Sequence, residues 1–145
     1  CSQVVTLDGD GQHDPRFIPD LLAAAGRNGT DVVIGACPER VSGMRRLAWS
    51  FFKRLTGLRL EDLTSGYRVY NQKAVELLLA PGAALYEYQD MGILLLLEGR
   101  NIRIAEVPLQ MQCRLNDKSR IFSTWWHVLQ YMVHSSIICL AKRKV

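Results

Sequence analysis

The stretch Val4-Val5-Thr6-Leu7-Asp8-Gly9-Asp10-Gly11-Gln12-His13-Asp14-Pro15 decides how the first part of the chain folds. Its apolar start, residues 4–7, predicts a buried strand. Asp14 and Pro15 form a favourable helix start, because Asp is a strong N-cap residue and Pro is well tolerated at the first helical position. Apolar residues then recur at helical spacing, at Phe17, Ile18, Leu21, Leu22 and Ala25. A helix is therefore expected after the polar residues 8–14, which we call the acidic loop.

A second buried strand is predicted after this helix. Gly26 and Gly29 end the helix, and the apolar run Asp31-Val32-Val33-Ile34-Gly35 follows. Strand, loop, helix and strand together form a βαβ unit, and such units place ligands at the carboxyl ends of their strands. The sequence therefore predicts an α/β fold with the acidic loop at the ligand-binding edge of the sheet.

Asp8 and Asp10 are the candidate metal ligands of the acidic loop. Two carboxylates one residue apart at a strand end can both turn toward one cation, and the intervening glycines let the backbone bend. Mg²⁺ and Mn²⁺ prefer oxygen ligands and usually complete their shell with substrate phosphates. We interpret the loop as a metal-assisted site for a phosphorylated substrate, and the alternative is a solvated turn.

Two other metal-dependent loops have similar sequences. A calcium EF-hand loop counted from Asp8 requires Gly and Glu at its sixth and twelfth positions, where this chain has His13 and Pro19. A haloacid-dehalogenase-type phosphatase also begins strand-Asp-x-Asp-Gly, with Asp8 as nucleophile and Asp10 as acid. That enzyme requires Thr or Val at the position that Gln12 occupies here, and a second pair of acidic residues later in the chain. It stays open as an alternative.

Five segments in the right order resemble the motifs of family-two inverting glycosyltransferases. Residues 5–15 are similar to the family's Asp-x-Asp-x-Gln-His-x-Pro motif, and Asp62-Leu63-Thr64-Ser65-Gly66-Tyr67-Arg68, here called the Ser-Gly segment, is similar to Asp-x-x-Ser-Gly-Phe-Arg. The others are Tyr88-Gln89-Asp90, Glu106-Val107-Pro108 and Arg114-x-x-x-Lys118-Ser119. The closest branch is that of the polyprenyl-phosphate enzymes, which include dolichyl-phosphate mannose synthases. The resemblance implies a GT-A fold, a Rossmann-like α/β domain with a mixed sheet flanked by helices.

The resemblance also implies roles for particular residues. It implies that Asp8, Asp10 and Gln12 bind Mg²⁺ or Mn²⁺ and that Arg114 and Lys118 bind the donor diphosphate. The contacts that it implies to the acceptor are Arg40, Arg46, Ser50, Ser65 and Arg68. The catalytic residues that it implies are Asp10 and Asp90.

Each of these roles has an ordinary structural alternative. Asp90 directly precedes a predicted helix over residues 91–98 and is well placed as its N-cap. Arg46, Ser50 and Lys53 share one face of a predicted amphipathic helix, and such a face is commonly just solvated. The Ser-Gly segment, taken by itself, is a polar turn before the strand at Val69.

Domain organisation follows from where the acidic pair stands. In the family this pair lies midway through the catalytic domain, whereas here it begins at residue 8. We therefore expect residues 1–121 to be a partial catalytic domain whose nucleotide-base half lies upstream. Residues 122–145 are expected to form a C-terminal amphipathic helix.

Composition and charge narrow the class of protein. The chain has 145 residues, 48% of them hydrophobic and 22% charged, which is typical of a globular domain. Its four cysteines form no Cys-x-x-Cys pair, which argues against a zinc site. The net charge is +4, and residues 40–59 carry six basic side chains and no acidic ones. Because no nucleic-acid-binding motif accompanies them, we expect no nucleic-acid partner.

A membrane surface is the expected environment. Residues 123–141 read as a helix whose apolar part is shorter than the roughly 20 residues needed to cross a bilayer. Trp125, Trp126 and the basic end Lys142-Arg143-Lys144 suit a helix lying on an anionic membrane face, and Trp49 with its apolar neighbours suits the same role. Peripheral attachment to the cytoplasmic face is therefore expected, directly or through segments outside this chain.

The sequence as a whole predicts a metal-dependent inverting transfer of sugar from a nucleoside-diphosphate donor to a polyprenyl phosphate or related acceptor. An alternative of another class is a catalytically silent piece that only binds a membrane or a partner.

Overall fold

A computed structural model describes residues 1–27, 29–37, 49–51, 53–54, 57–81, 83, 90–110, 133 and 136. In chain order, its strands and helices are β1 (Gln3–Thr6), a 3₁₀ helix (Pro15–Phe17), α1 (Ile18–Ala25), β2 (Val32–Ala36), β3 (Arg68–Asn71), α2 (Gln72–Leu79), α3 (Asp90–Glu98) and β4 (Ile104–Pro108). Residues 49–51 and 53–54 are also helical.

The described residues form one mixed four-stranded sheet in the order β1-β3-β2-β4. β3 is antiparallel to both β1 and β2, while β4 is parallel to β2. β1, β2 and β4 therefore all run in one direction and β3 runs against them. The predicted α/β fold is confirmed, and so is the parallel relation of β1 and β2. β2 is buried as predicted. The prediction of a buried β1 is wrong, because β1 is an edge strand of the described sheet and Val4 is 38% exposed. The βαβ unit is nevertheless split, because β3 lies between its two strands.

The predicted start of the first helix is confirmed. The Asp14 side chain accepts a hydrogen bond from the backbone N–H of Arg16 at 3.0 Å, and Pro15 opens the 3₁₀ helix that leads into α1. This cap satisfies one of the N–H groups that a helix start leaves without a partner. α1 ends at Ala25, and Gly26 follows as its C-cap.

β4 pairs regularly with β2 along its whole length. Its register with β2 is unbroken from Val32 opposite Ile104 to Ala36 opposite Pro108. Residues 104–107 are all half-buried, so neither face of β4 is clearly the inner one. Partial burial on both faces removes the need for strict alternation of polar and apolar residues in β4.

The core has two layers, one on each face of the sheet. Val32 and Ile34 point into a cluster with Trp49, α2 and α3, while Val33 and Val69 point into a second cluster with α1. This alternation is the period of two that a strand dictates. Trp49 is only 8% exposed, so it belongs to the core, whereas we had expected it on a membrane-facing surface. Phe51, two residues on, is 48% exposed.

Asp31 fastens the amino end of β2 to its neighbours. Its carboxylate accepts hydrogen bonds of 2.9 Å from the Asn71 side-chain amide and from the backbone N–H of Arg103. Lys73 adds an ion pair at 3.5 Å. Burial raises the pKa of Asp31, but the Arg103 and Asn71 hydrogen bonds and the Lys73 charge outweigh it, so the net pKa is lowered from 3.8.

No helix within the described ranges is long and apolar enough to span a membrane. Most of the predicted C-terminal helix, over residues 122–145, lies outside those ranges.

Candidate active site at the carboxyl ends of the parallel strands

Sheet topology brings four chain segments to the same end of the sheet. The acidic loop follows β1, Cys37 follows β2, and Leu109 follows β4, so all three lie at the carboxyl ends of parallel strands. The Ser-Gly segment leads into β3, which runs the opposite way, and it therefore reaches the same edge. This is the edge at which open α/β sheets bind ligands.

The acidic loop is an organised turn. The backbone N–H of Asp8 donates to Nδ1 of His13 at 2.9 Å, and that of Gln12 donates to Oδ1 of Asp10 at 3.1 Å. Gly11 has a φ of 77°, a left-handed conformation that glycine adopts without strain. The Asp8 side chain is 58% exposed, while Gln12 and His13 are buried. The loop thus presents Asp8 outward above a packed base.

The Ser-Gly segment lies directly against the acidic loop. A Cβ placed on Gly66 would lie 2.6 Å from Oδ1 of Asp8, so the carboxylate occupies the space that a side chain would fill. The Thr6 hydroxyl, at the end of β1, donates to the carbonyl of Gly66 at 2.9 Å. The two predicted motifs are therefore in contact.

Tyr67 forms a second contact between the two motifs. Its ring stacks on His13 with centroids 5.0 Å apart and planes inclined by 24°. Its hydroxyl donates to the carbonyl of Asp14 at 2.9 Å. Burial raises the pKa of Tyr67 above 10.0, and the charge of Asp14 raises it further, so the hydroxyl keeps its proton at neutral pH.

Ser65 and Arg68 are the buried polar residues at the end of the Ser-Gly segment. The Ser65 hydroxyl donates to the carbonyl of Gly35 at 2.6 Å and accepts from the N–H of Tyr67 at 3.3 Å. Arg68, 2% exposed, donates from Nε to the carbonyl of Ser65 at 2.7 Å. In this arrangement both side chains brace the segment. Their role as acceptor contacts stays a prediction.

Asp62 and Glu106 anchor the start of the segment. The buried Asp62 carboxylate accepts from the backbone N–H groups of Cys37 at 3.3 Å and Thr64 at 2.9 Å. Glu106, on β4, accepts from the N–H groups of Glu61 at 2.6 Å and Asp62 at 2.8 Å. The sequence does not predict this role of Glu106, although Glu106 belongs to the Glu106-Val107-Pro108 motif.

Residues 2–79 match the family model described as "Glycosyl transferase family 2". The chain belongs to this family. The resemblance inferred from the ordered motifs is thereby confirmed, and the match spans both the acidic loop and the Ser-Gly segment.

This family 2 chain is also similar to curated proteins whose names describe polyprenyl-phosphate mannosyltransferases. It is 37% identical over 79 residues to an undecaprenyl-phosphate mannosyltransferase of Micrococcus luteus, covering 46% of this chain and 31% of the relative. It is 27% identical over 135 residues to a dolichol-phosphate mannosyltransferase of Pyrococcus furiosus, covering 81% and 35%. A polyprenol monophosphomannose synthase of Mycolicibacterium smegmatis is 31% identical over 85 residues, covering 52% and 32%. The chain thus spans about a third of the length of these relatives.

The donor set of the family 2 acidic loop suits a hard divalent cation. Asp8, Asp10 and Gln12 offer carboxylate and amide oxygens, the ligands that Mg²⁺ and Mn²⁺ prefer. In the described part of the chain, no group of three or more His, Cys, Asp and Glu side chains is placed to hold a metal ion. A site built on two carboxylates resembles Mg²⁺ sites that substrate phosphates complete.

Of the other predicted site residues, some lie in the described part of the chain and the rest lie outside the described residues. Arg40, Arg46, Arg114 and Lys118 belong to the latter group. Ser50 lies exposed on the helical residues after Trp49. Asp90 is the first residue of α3, and its side chain is outside the described part.

Proposed function

We propose that this chain is the metal-binding and acceptor-side part of an enzyme that transfers a sugar from a nucleoside-diphosphate donor to a polyprenyl phosphate. Its membership of glycosyl transferase family 2 and the printed names of its relatives support this activity. Those relatives are mannosyltransferases, so a mannose donor is the first to test.

One observation carries the proposal. The exposed Asp8 carboxylate lies against Gly66, and the acidic loop and the Ser-Gly segment thereby form one surface at the ligand-binding edge. A transferase must hold two substrates side by side, because the reaction is fast only when the reacting atoms are close and aligned. Two packed motifs at one edge supply adjacent surfaces for a donor and an acceptor.

The proposed chemistry is charge compensation and positioning. Asp8, Asp10 and Gln12 would hold Mg²⁺ or Mn²⁺, which when bound neutralises the charge that develops on the leaving diphosphate. Arg114 and Lys118 would bind the same diphosphate. A polyprenyl phosphate is already anionic at neutral pH, so its oxygen is already deprotonated. It can attack the anomeric carbon, with inversion, with little help from a base at Asp90.

The second part of the proposal concerns the acceptor-binding residues and the cellular location of the enzyme. Arg40, Arg46 and Ser50 would bind the acceptor phosphate, while the buried Ser65 and Arg68 would support the Ser-Gly segment. A polyprenyl chain is a lipid, and a basic segment over residues 40–59 suits the anionic surface of a membrane. We place the enzyme at the cytoplasmic face of that membrane.

A transfer assay on the intact protein tests the proposal. The protein, in detergent with undecaprenyl phosphate, is supplied with radiolabelled nucleoside-diphosphate mannose and with Mn²⁺ or EDTA. We expect labelled lipid to form with Mn²⁺ and to stop with EDTA. No labelled lipid with any of a panel of nucleotide sugars would contradict the proposal.

Binding measurements separate the two alternatives. A phosphatase with Asp8 as nucleophile would bind beryllium fluoride together with Mg²⁺, and we expect no such binding. A catalytically silent chain would bind Mn²⁺ equally with and without a nucleotide sugar, whereas a transferase is expected to bind the two cooperatively.

A further inference from the structure

His13 contacts both the backbone and the side chain of Asp8. Its Nδ1 accepts from the Asp8 N–H at 2.9 Å, and its Nε2 lies 3.8 Å from Oδ2 of the Asp8 carboxylate. The ring is buried, and one of its faces is stacked on Tyr67. A buried ring held in this way has little freedom to move.

The hydrogen-bond pattern assigns the tautomer of the ring. Because Nδ1 accepts a hydrogen bond, the hydrogen of the neutral imidazole is on Nε2. That N–H is on the side of the Asp8 carboxylate. At 3.8 Å the interaction is an electrostatic attraction, because it is longer than a hydrogen bond.

We propose that His13 is a positioning residue that holds Asp8 in place, through Nδ1 on its backbone and through Nε2–H on its carboxylate. Tyr67 fixes the plane of the ring, and Gly66 bounds the carboxylate on another side. This inference rests on the proposed function only in taking Asp8 as a metal ligand. The two contacts of His13 with Asp8 do not depend on whether Asp8 binds a metal ion.

Two substitutions at His13 separate positioning from simple filling of space. In His13→Asn, the side-chain oxygen takes the place of Nδ1 and keeps an acceptor for the Asp8 N–H, while the ring is lost. In His13→Phe, a ring remains on Tyr67 but has no acceptor. A space-filling role predicts that Phe is tolerated and Asn is not, and a positioning role predicts the reverse.

Two readouts on the intact protein test this order. Amide hydrogen exchange reports whether the Asp8 N–H stays bonded, and calorimetric titration with MnCl₂ reports affinity. We expect His13→Phe to lose protection at Asp8 and to weaken Mn²⁺ binding about tenfold, the lower end of what loss of a group that orients a metal ligand costs. We expect His13→Asn to keep protection and to bind Mn²⁺ within about threefold of wild type, because it loses only the weaker attraction between Nε2–H and the exposed Asp8 carboxylate.

The inference is overturned if His13→Phe matches wild type in both readouts, or if His13→Asn is the more damaged variant. If the variants do not fold, ¹⁵N shifts of the wild-type ring at mildly alkaline pH decide, since a hydrogen on Nδ1 would contradict the proposal. If the wild-type protein binds no Mn²⁺, the proposed metal site fails, while the exchange data still test the hold of His13 on Asp8.

Discussion

The carboxylate of Asp8 lies directly over the Cα of Gly66. A Cβ on Gly66 would lie 2.6 Å from Oδ1 and 3.0 Å from both Cγ and Oδ2 of Asp8. Real Cβ atoms do not approach other atoms that closely, so the glycine is required by the position of the aspartate. The Ser-Gly segment therefore shapes the acidic loop, although more than fifty residues separate them in the chain.

Gly66→Ala is expected to displace the Asp8 carboxylate. The φ of Gly66 is outside the left-handed region, so the added methyl group acts by steric contact alone. We expect Mn²⁺ affinity to fall about tenfold, as for other changes around a metal ligand. Isothermal titration with MnCl₂ measures this.

Gly9→Ala is the matched control for that experiment. Gly9 is in the same loop, its φ is also outside the left-handed region, and a Cβ there would meet no atom within 4 Å. We expect this variant to bind Mn²⁺ as wild type does. Equal affinities for the two variants would show that the contact between Asp8 and Gly66 has no effect on the metal site.

Tyr67→Phe removes the hydroxyl that donates to the carbonyl of Asp14 and keeps the ring that stacks on His13. We expect the free energy of unfolding to fall by about 1 kcal/mol, the usual net value of a hydrogen bond. Tyr67→Leu also removes the stacked ring, and a loss of about 2–4 kcal/mol is expected. Urea denaturation measures both, and equal losses would mean that the stack contributes nothing.

Alkaline pH provides an independent test of the same contact. Because the pKa of Tyr67 is raised above 10.0 in the folded state, its contribution to stability is complete below pH 10 and is lost as the pH rises through the folded pKa. The stability difference between wild type and Tyr67→Phe should therefore shrink above pH 10. A constant difference would contradict the assignment.

Asp31→Asn is expected to destabilise the fold at neutral pH by about 1–3 kcal/mol, because the carboxylate accepts charge-assisted hydrogen bonds from Asn71 and Arg103. The pKa of Asp31 is lowered from 3.8 in the folded state, so its contribution is present above pH 3.8 and lost as the pH falls through the folded value. Denaturation at a series of pH values should show the two proteins converging in acid. Asp20→Asn, at an exposed position of α1, serves as the control.

Ser65→Ala distinguishes a brace from an acceptor contact. The structure has the Ser65 hydroxyl bonded to the carbonyl of Gly35 and the N–H of Tyr67, so we expect the free energy of unfolding to fall by about 1–3 kcal/mol. The KM for polyprenyl phosphate should change little in the folded fraction. A raised KM with unchanged stability would instead support direct contact with the acceptor.

Local patterns predicted the elements whose signals are contained in a few neighbouring residues. Asp14 caps a helix through its own side chain. The helix predicted over residues 91–98 is found as α3 (Asp90–Glu98), because leucines dominate a stretch that ends before Gly99. The position of β3 between β1 and β2 depends on pairing across long loops, such as Thr6 with Arg68, and no local pattern encodes it.

The sequence named candidate site residues, but it could not predict the contacts between them. The ordered motifs made Asp8 and Ser65 candidate site residues and included Gly66 in the Ser-Gly segment, but they did not predict that Gly66 lies under Asp8 or that Ser65 is turned inward. The predicted environment of Trp49 was wrong for a related reason. An aromatic residue on an amphipathic helix fits a membrane surface and a protein core equally well.

The most direct test of the account is the transfer rate of the intact protein bearing Asp10→Asn. Asparagine keeps a side-chain oxygen for the N–H of Gln12, so the turn of the acidic loop is preserved while the charge is removed. With nucleoside-diphosphate mannose, undecaprenyl phosphate and Mn²⁺, we expect a loss of at least about 100-fold, which corresponds to about 2.7 kcal/mol of transition-state stabilisation. Asp20→Asn should transfer sugar at the wild-type rate. Transfer by Asp10→Asn as fast as by wild type would contradict the account.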